Sequence, residues 1–113
     1  MKTIDDINTE LDRLRDDTKN LHSKREREKI AKKCSVLYLC KLYLETNPTL
    51  KFIEKQKAEV KRKLDFIDEG FNQWAGSNPK EANVNNPKSK YNSLMGVKVL
   101  KAQLKTLNYL LSV

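Results

Sequence analysis

From Leu50 to Trp74 the chain repeats apolar residues at the spacing that a helix gathers onto one side. Leu50, Lys57, Leu64 and Phe71 share one heptad position and Ile53, Val60, Ile67 and Trp74 another, so seven of the eight sites are apolar. Phe52 and Phe66 stand off this seam on one shared flank, which predicts contact with a second neighbour.

The N-terminal third repeats the pattern less regularly. Ile4, Ile7, Leu11, Leu14, Thr18 and Leu21 follow alternating steps of three and four, preceded by Thr3 as an N-cap and by Asp5 and Asp6, whose carboxylates suit the positive end of a helix dipole. The stripe fails across Asn20 to Arg27 and resumes out of phase at Ile30, Cys34, Leu37 and Leu44. Because neither glycine nor proline interrupts it, the expectation is one continuous or kinked helix over about 3–46, with a break near His22 and Ser23 as the alternative. Eight of the nine residues from Val36 to Leu44 are apolar. A helix apolar on most of its circumference has to be covered on most sides, so this run is read as the central rod of a bundle or as an oligomer interface. Tyr38 and Tyr43 would bury their rings and keep their hydroxyls in water.

Asn47 and Pro48 read as the N-cap and first-turn proline of the second helix, about 48–74. The stretch AGSNPKEANVNNPKSK, residues 75–90, has two prolines, four asparagines and Val84 as its only large apolar residue, and reads as a polar loop. It is long for a connection in a compact domain, hence functional or disordered, and its composition favours disorder. A third helix, about 91–112, carries Val97, Leu100, Leu104, Leu107 and Leu111 on one stripe, with Leu94, Tyr109 and Leu110 beside it. Gly96 either weakens its start by about 1 kcal/mol relative to alanine or permits a close approach. The expected fold is all-α: a single domain over 1–113, an elongated three-helix bundle with coiled-coil-like heptad packing. Its first stripe outruns what the second helix can cover, so self-association is expected, with Ile4, Ile7, Leu11, Leu14, Leu37 and Leu44 as core or oligomer-interface residues.

Charge points to a class of partner. The net charge is +8, and charged residues make up 34% of the chain, against about 25% in an average globular protein. Residues 1–17 hold six acids and three bases, leaving nine acids and twenty bases for the rest, or −3 against +11. The bases recur at helical spacing: Lys24, Arg25, Lys29 and Lys32 in the first region, Lys51, Lys55 and Arg62 in the second, Lys98, Lys101 and Lys105 in the third. Three stripes of one sign, each placed where a run of phosphates could follow a helix, are the candidate site for nucleic acid or a nucleoprotein complex. Aromatic residues are only 7% of the chain and fall mostly on seams, so stacking is thin and backbone contact with weak sequence preference is expected.

Other chemistry has no signature. There is no P-loop, glycine-rich dinucleotide turn, HExxH or nucleophile elbow, so no enzyme is expected. His22 is the only histidine, and it reads as a surface or interhelical residue with no convergent partner. A Cys/His metal site would lack ligands, and neither metal nor cofactor is expected. Cys34 and Cys40 lie six residues apart, about 9 Å along a helix, too far for an intrahelical disulfide. They read as reduced, buried thiols in a cytoplasmic protein. No signal peptide is visible, and nine residues are too few to span a membrane.

The order of parts, with a lysine-rich central helix (KRKLDFIDEG), a polar loop and an apolar C-terminal helix, resembles that of phage recombination mediator proteins, which load a recombinase on single strands. The likeness lies in the order and not in a matched motif, and no residue is carried across from it. Two rival readings use the same surfaces. One is a protein-binding inhibitor or adaptor of the phage or mobile-element type, acting against a host system. The other is an oligomeric capture protein for small nucleotide ligands, which needs bases and Tyr38 or Tyr43 to converge at a subunit interface.

Overall fold

The computed structural model describes residues 1–20, 23–82 and 86–112. Among them every regular element is an α-helix: α1 (Ile4–Thr18), α2 (Lys24–Thr46), α3 (Leu50–Ser77), α4 (Pro79–Ala82), α5 (Pro87–Leu94) and α6 (Val97–Leu111). Leu21, His22 and Val84, three residues weighed in the sequence, lie outside the described residues.

The single first helix expected over 3–46 is two. α1 opens with a capping box, in which the Asp6 backbone N–H donates to Thr3 Oγ1 at 3.2 Å and the Thr3 backbone N–H donates to Asp6 Oδ2 at 2.8 Å. α2 is founded afresh on Ser23, whose backbone is extended (φ −104°, ψ 141°) and whose hydroxyl accepts from the Glu26 backbone N–H at 3.1 Å. A continuous rod would carry the stripe of α1 past the end of anything able to cover it. With the chain broken before Ser23, α1 packs on α2 and buries Ile7, Leu11 and Leu14.

The next boundary also shifts. Asn47 ends α2, its backbone N–H donating to the Tyr43 carbonyl at 3.0 Å. Its Oδ1 accepts from both the backbone N–H (3.1 Å) and the hydroxyl (2.8 Å) of Thr49. Thr49, held in this way, caps α3 by accepting from the Phe52 backbone N–H at 3.3 Å, so α3 begins at Leu50 rather than Pro48. Much of the expected polar loop 75–90 is helical: α3 runs on to Ser77, Pro79 begins α4, and Pro87 begins α5. Proline at a first helical position forfeits no hydrogen bond, so both prolines start helices here. Asn86, in the left-handed region at φ 50°, turns the chain into α5. The third helix is likewise divided, since Gly96 takes φ 69° between α5 and α6, a conformation that glycine adopts without steric cost.

The core forms where four helices meet: Ile7, Leu11 and Leu14 of α1, Leu37, Cys40 and Leu44 of α2, Ile53 and Val60 of α3, and Leu107 and Leu110 of α6. Each such side chain contributes roughly 1.5–3 kcal/mol by leaving water. α6 is the strut, packed along α3 and also against α2. The chain leaves the core along α3 and returns along α5 and α6; at the outer end Tyr91 rests on Phe71 with ring centroids 5.5 Å apart. The whole is extended and flat, 52 × 40 × 19 Å with a radius of gyration of 17.9 Å, against about 13 Å for a compact chain of about this length.

Two expectations about apolar surface change. The run from Val36 to Leu44 is covered by α1 and α6 through Leu37, Cys40 and Leu44, but Tyr38 and Leu42, four residues apart on another face, are 49% and 59% exposed. Of the six residues expected at a core or oligomer interface, Ile7, Leu11, Leu14, Leu37 and Leu44 are buried within one chain, and Ile4 is exposed. The surface on which self-association was expected is therefore covered by the fold-back of α1.

Candidate functional site

The helices carry the ten candidate bases outward. Lys24, Arg25, Lys29 and Lys32 of α2, Lys51, Lys55 and Arg62 of α3, and Lys98, Lys101 and Lys105 of α6 are all exposed. α2 explains its own share: its buried residues are confined to Leu37, Cys40 and Leu44, and every described residue from Ser23 to Lys29 is exposed, so the first turns of the helix present their charge to solvent.

Acids and bases are handled differently along the chain. In α1 and its C-cap four of the six carboxylates are paired locally. Arg13 bridges Glu10 and Asp17, Arg15 lies 4.0 Å from Asp12, and Lys19 lies 3.6 Å from Asp16. The guanidinium of Arg13 holds the Glu10 carboxyl below its ordinary range, chiefly by hydrogen bonding, and the backbone N–H of Thr3 does the same for Asp6. The remaining ion pair among the described residues joins Lys88 to Asp68 at 4.0 Å, and none of the ten candidate bases takes part in one. Four of the six carboxylates of the acidic N-terminal helix are thus paired at short range, and the ten candidate bases stand open.

The fold brings some of these bases beside others that the spacing alone did not single out. Lys105 and Lys33 flank a small cleft of about 290 Å³ beside Tyr109 and Glu10. Lys101 lines a depression of about 540 Å³ with Lys61 and Lys88, and also with Asp65 and Asp68. Asn92, whose Oδ1 is buried without a hydrogen-bond partner, lines it too. The two carboxylates make that depression a poor site for phosphate. Arg62 lies with Lys63 at the edge of a third concavity, an apolar groove between α3 and α6. Lys33, Lys61 and Lys63 could have been found by placing every lysine, and not only the most regular ones, on the helical wheel. Among the described residues the candidate bases are therefore distributed over three helices.

Reactive chemistry is sparse. Cys40 is buried and its thiol is pushed up to about 12 by burial, its Sγ–H donating to the Thr106 carbonyl at 3.7 Å. Cys34 is a half-buried free thiol. Among the described residues no group of three His, Cys, Asp or Glu side chains is placed to hold a metal ion, and no helix is long and apolar enough to cross a membrane. No protein-family model, no curated protein and no solved structure matches the chain.

Proposed function

We propose that the chain is a non-catalytic helical protein that binds a phosphate-bearing partner, nucleic acid or a nucleoprotein complex, through its lysine and arginine faces and without strong sequence preference. The observation that carries this reading is the contrast in charge pairing. Acids of α1 are matched at short range, whereas the ten candidate bases are exposed and take part in no ion pair among the described residues. Open lysines spread over three helices suit a ligand that offers many phosphates over a length, because each contact releases a counterion and none needs a shaped cavity. Thin aromatic content and the lack of a base-reading element favour backbone contact. The setting is intracellular, with Cys34 and Cys40 reduced.

The test is fluorescence anisotropy with single- and double-stranded oligonucleotides at two salt concentrations. The parent should bind at low salt. Reversing Lys29 and Lys32 to glutamate, both exposed on α2, should weaken binding evenly across sequences. The slope of log affinity against log salt should shrink by roughly one to two units, since each lost phosphate contact removes about 0.7–0.9. Absence of binding by the parent at low salt would discard this function. The rival reading, a protein-binding inhibitor or adaptor, is favoured by a different observation, the exposed apolar groove beside Arg62 and Lys63.

A further inference from the structure

On α6, Val99, Gln103, Thr106 and Leu110 recur at steps of four, three and four and so lie along one face. The second half of this stripe is roofed. Thr106 and Leu110 are 0% exposed, and Cys40 of α2 reaches the Thr106 carbonyl. At Val99 the same face is open, with that side chain 62% exposed. Beside it, across a groove of about 780 Å³, stand Phe66 of α3, 76% exposed, and Met95, 48% exposed. Phe66 is the flank residue that the sequence assigned to a second neighbour, and no helix of this chain covers it. The next residue along from Met95, Leu94, is 86% exposed and lines another apolar cleft with Trp74. Four large apolar side chains this exposed around one end of the α3–α6 pair are the pattern of an interaction surface rather than of scattered surface leucines.

We propose that this groove docks an amphipathic helix of a partner protein whose flanks are acidic. The shape is that of a helix-in-groove site: α2 already lies on the second half of the Val99–Leu110 stripe, and a second helix would cover the first half in the same manner. Charge selects the occupant. Arg62 and Lys63 line the groove with its apolar residues, and no carboxylate does so. A second copy docked through the same face would set these two cations against their twins in a protein already at +8. A single strand of nucleic acid would find one aromatic ring, Phe66, and no stacking platform. Carboxylates on the flanks of a docked helix would meet the two cations while its apolar stripe covers Phe66, Met95 and Val99.

The probe is a labelled synthetic peptide of about 14 residues, four turns, with leucines at i, i+3, i+4 and i+7 spacing and glutamates on the flanks. The same peptide with lysines in place of the glutamates and a shuffled acidic peptide are the controls. The acidic striped peptide should bind and the controls should not. Phe66→Ala with Val99→Ser should weaken binding about tenfold or more, and Lys63→Glu about threefold or more. Both apolar side chains are exposed in the free protein, so the helical spectrum and melting of the variants should match the parent. The Lys29→Glu, Lys32→Glu protein should bind the peptide like the parent, and the Phe66→Ala, Val99→Ser protein should bind oligonucleotide like the parent, which keeps failure here distinct from failure of the polyanion reading. No binding of the acidic striped peptide at about 1 mM, or equal binding of its lysine version, would overturn the proposal. So would a parent dimer that Phe66→Ala, Val99→Ser converts to monomer, which would make a second copy the occupant, or loss of oligonucleotide binding in that variant.

Discussion

Cys40 shows how a single side chain ties the core to pH. It sits where α2 meets α6, with no exposed surface, and its Sγ–H donates to the Thr106 carbonyl, a contact that stabilises the thiol and not the thiolate. Burial raises its pKa from the ordinary 9.0 to about 12. Below 9.0 the folded and unfolded chains both hold the proton. Between the two values only the unfolded chain releases it, so this contribution to stability is whole below pH 9 and is lost as pH rises toward 12. Tyr43 and Tyr109, also raised chiefly by burial, act with the same sign above their ordinary 10.0. Cys40→Ala isolates the thiol. Between about pH 8 and pH 10 the urea unfolding free energy of the parent should fall further than that of Cys40→Ala, by up to about 1 kcal/mol. Equal declines in the two proteins would mean that the thiol is not held in its neutral form by the core.

At the scale of elements, the outer end of the molecule depends on how closely α5 can approach α3. A Cβ on Gly70 would stand 2.7 Å from the Tyr91 hydroxyl oxygen and 3.9 Å from the ring carbon that bears it, whereas one on Gly76 would meet nothing within 4 Å. Both glycines lie inside α3, where alanine is favoured by about 0.5–1 kcal/mol. Gly76→Ala should therefore raise the melting stability by about that amount, and Gly70→Ala should not. Tyr91→Phe, made in the Gly70→Ala background, removes the clashing oxygen and should restore the gain; if Gly70→Ala alone stabilises as much as Gly76→Ala, then α5 is not docked as described. The sequence made some of this legible and hid the rest. The α3 seam was plain because Ile53, Val60 and Ile67 repeat without error, and all three are buried. Its ends were not: Leu50 and Trp74 obey the same heptad yet are 51% and 38% exposed, because nothing in the pattern says how far a partner extends. The break before Ser23 was obscured because a serine cap can end a run that contains no glycine or proline. Pro79 and Pro87 were taken for loop residues because a proline marks a helix start and a loop equally well. Gly96 was placed inside a helix because only its positive φ shows that the helix stops there. For the basic surface, exposure followed from charge alone, while the mixing of Lys101 with Asp65 and Asp68 needed α3 and α6 side by side.

The whole molecule is a flat helical plate, 19 Å in its thinnest extent. Its acidic helix α1 is folded back onto the core with four of its six carboxylates paired, and the three basic stripes remain at the surface with no ion-pair partner among the described residues. The apolar groove of α3 and α6 is a second surface, which shares Arg62 with the candidate bases. As proposed, the chain is an adaptor that would use one surface for a polyanion and the other for an acidic protein helix. The central claim is that phosphates are met by the exposed bases and not by the groove. A titration of the backbone amide NMR spectrum with a short single-stranded oligonucleotide at low salt tests it most directly. The account predicts shifts at the start of α2 around Lys24 to Lys32, at Lys51 and Lys55, and along Lys98 to Lys105, with Phe66 and Met95 unmoved. Shifts confined to the groove, or a spectrum unchanged at saturating oligonucleotide, would contradict it.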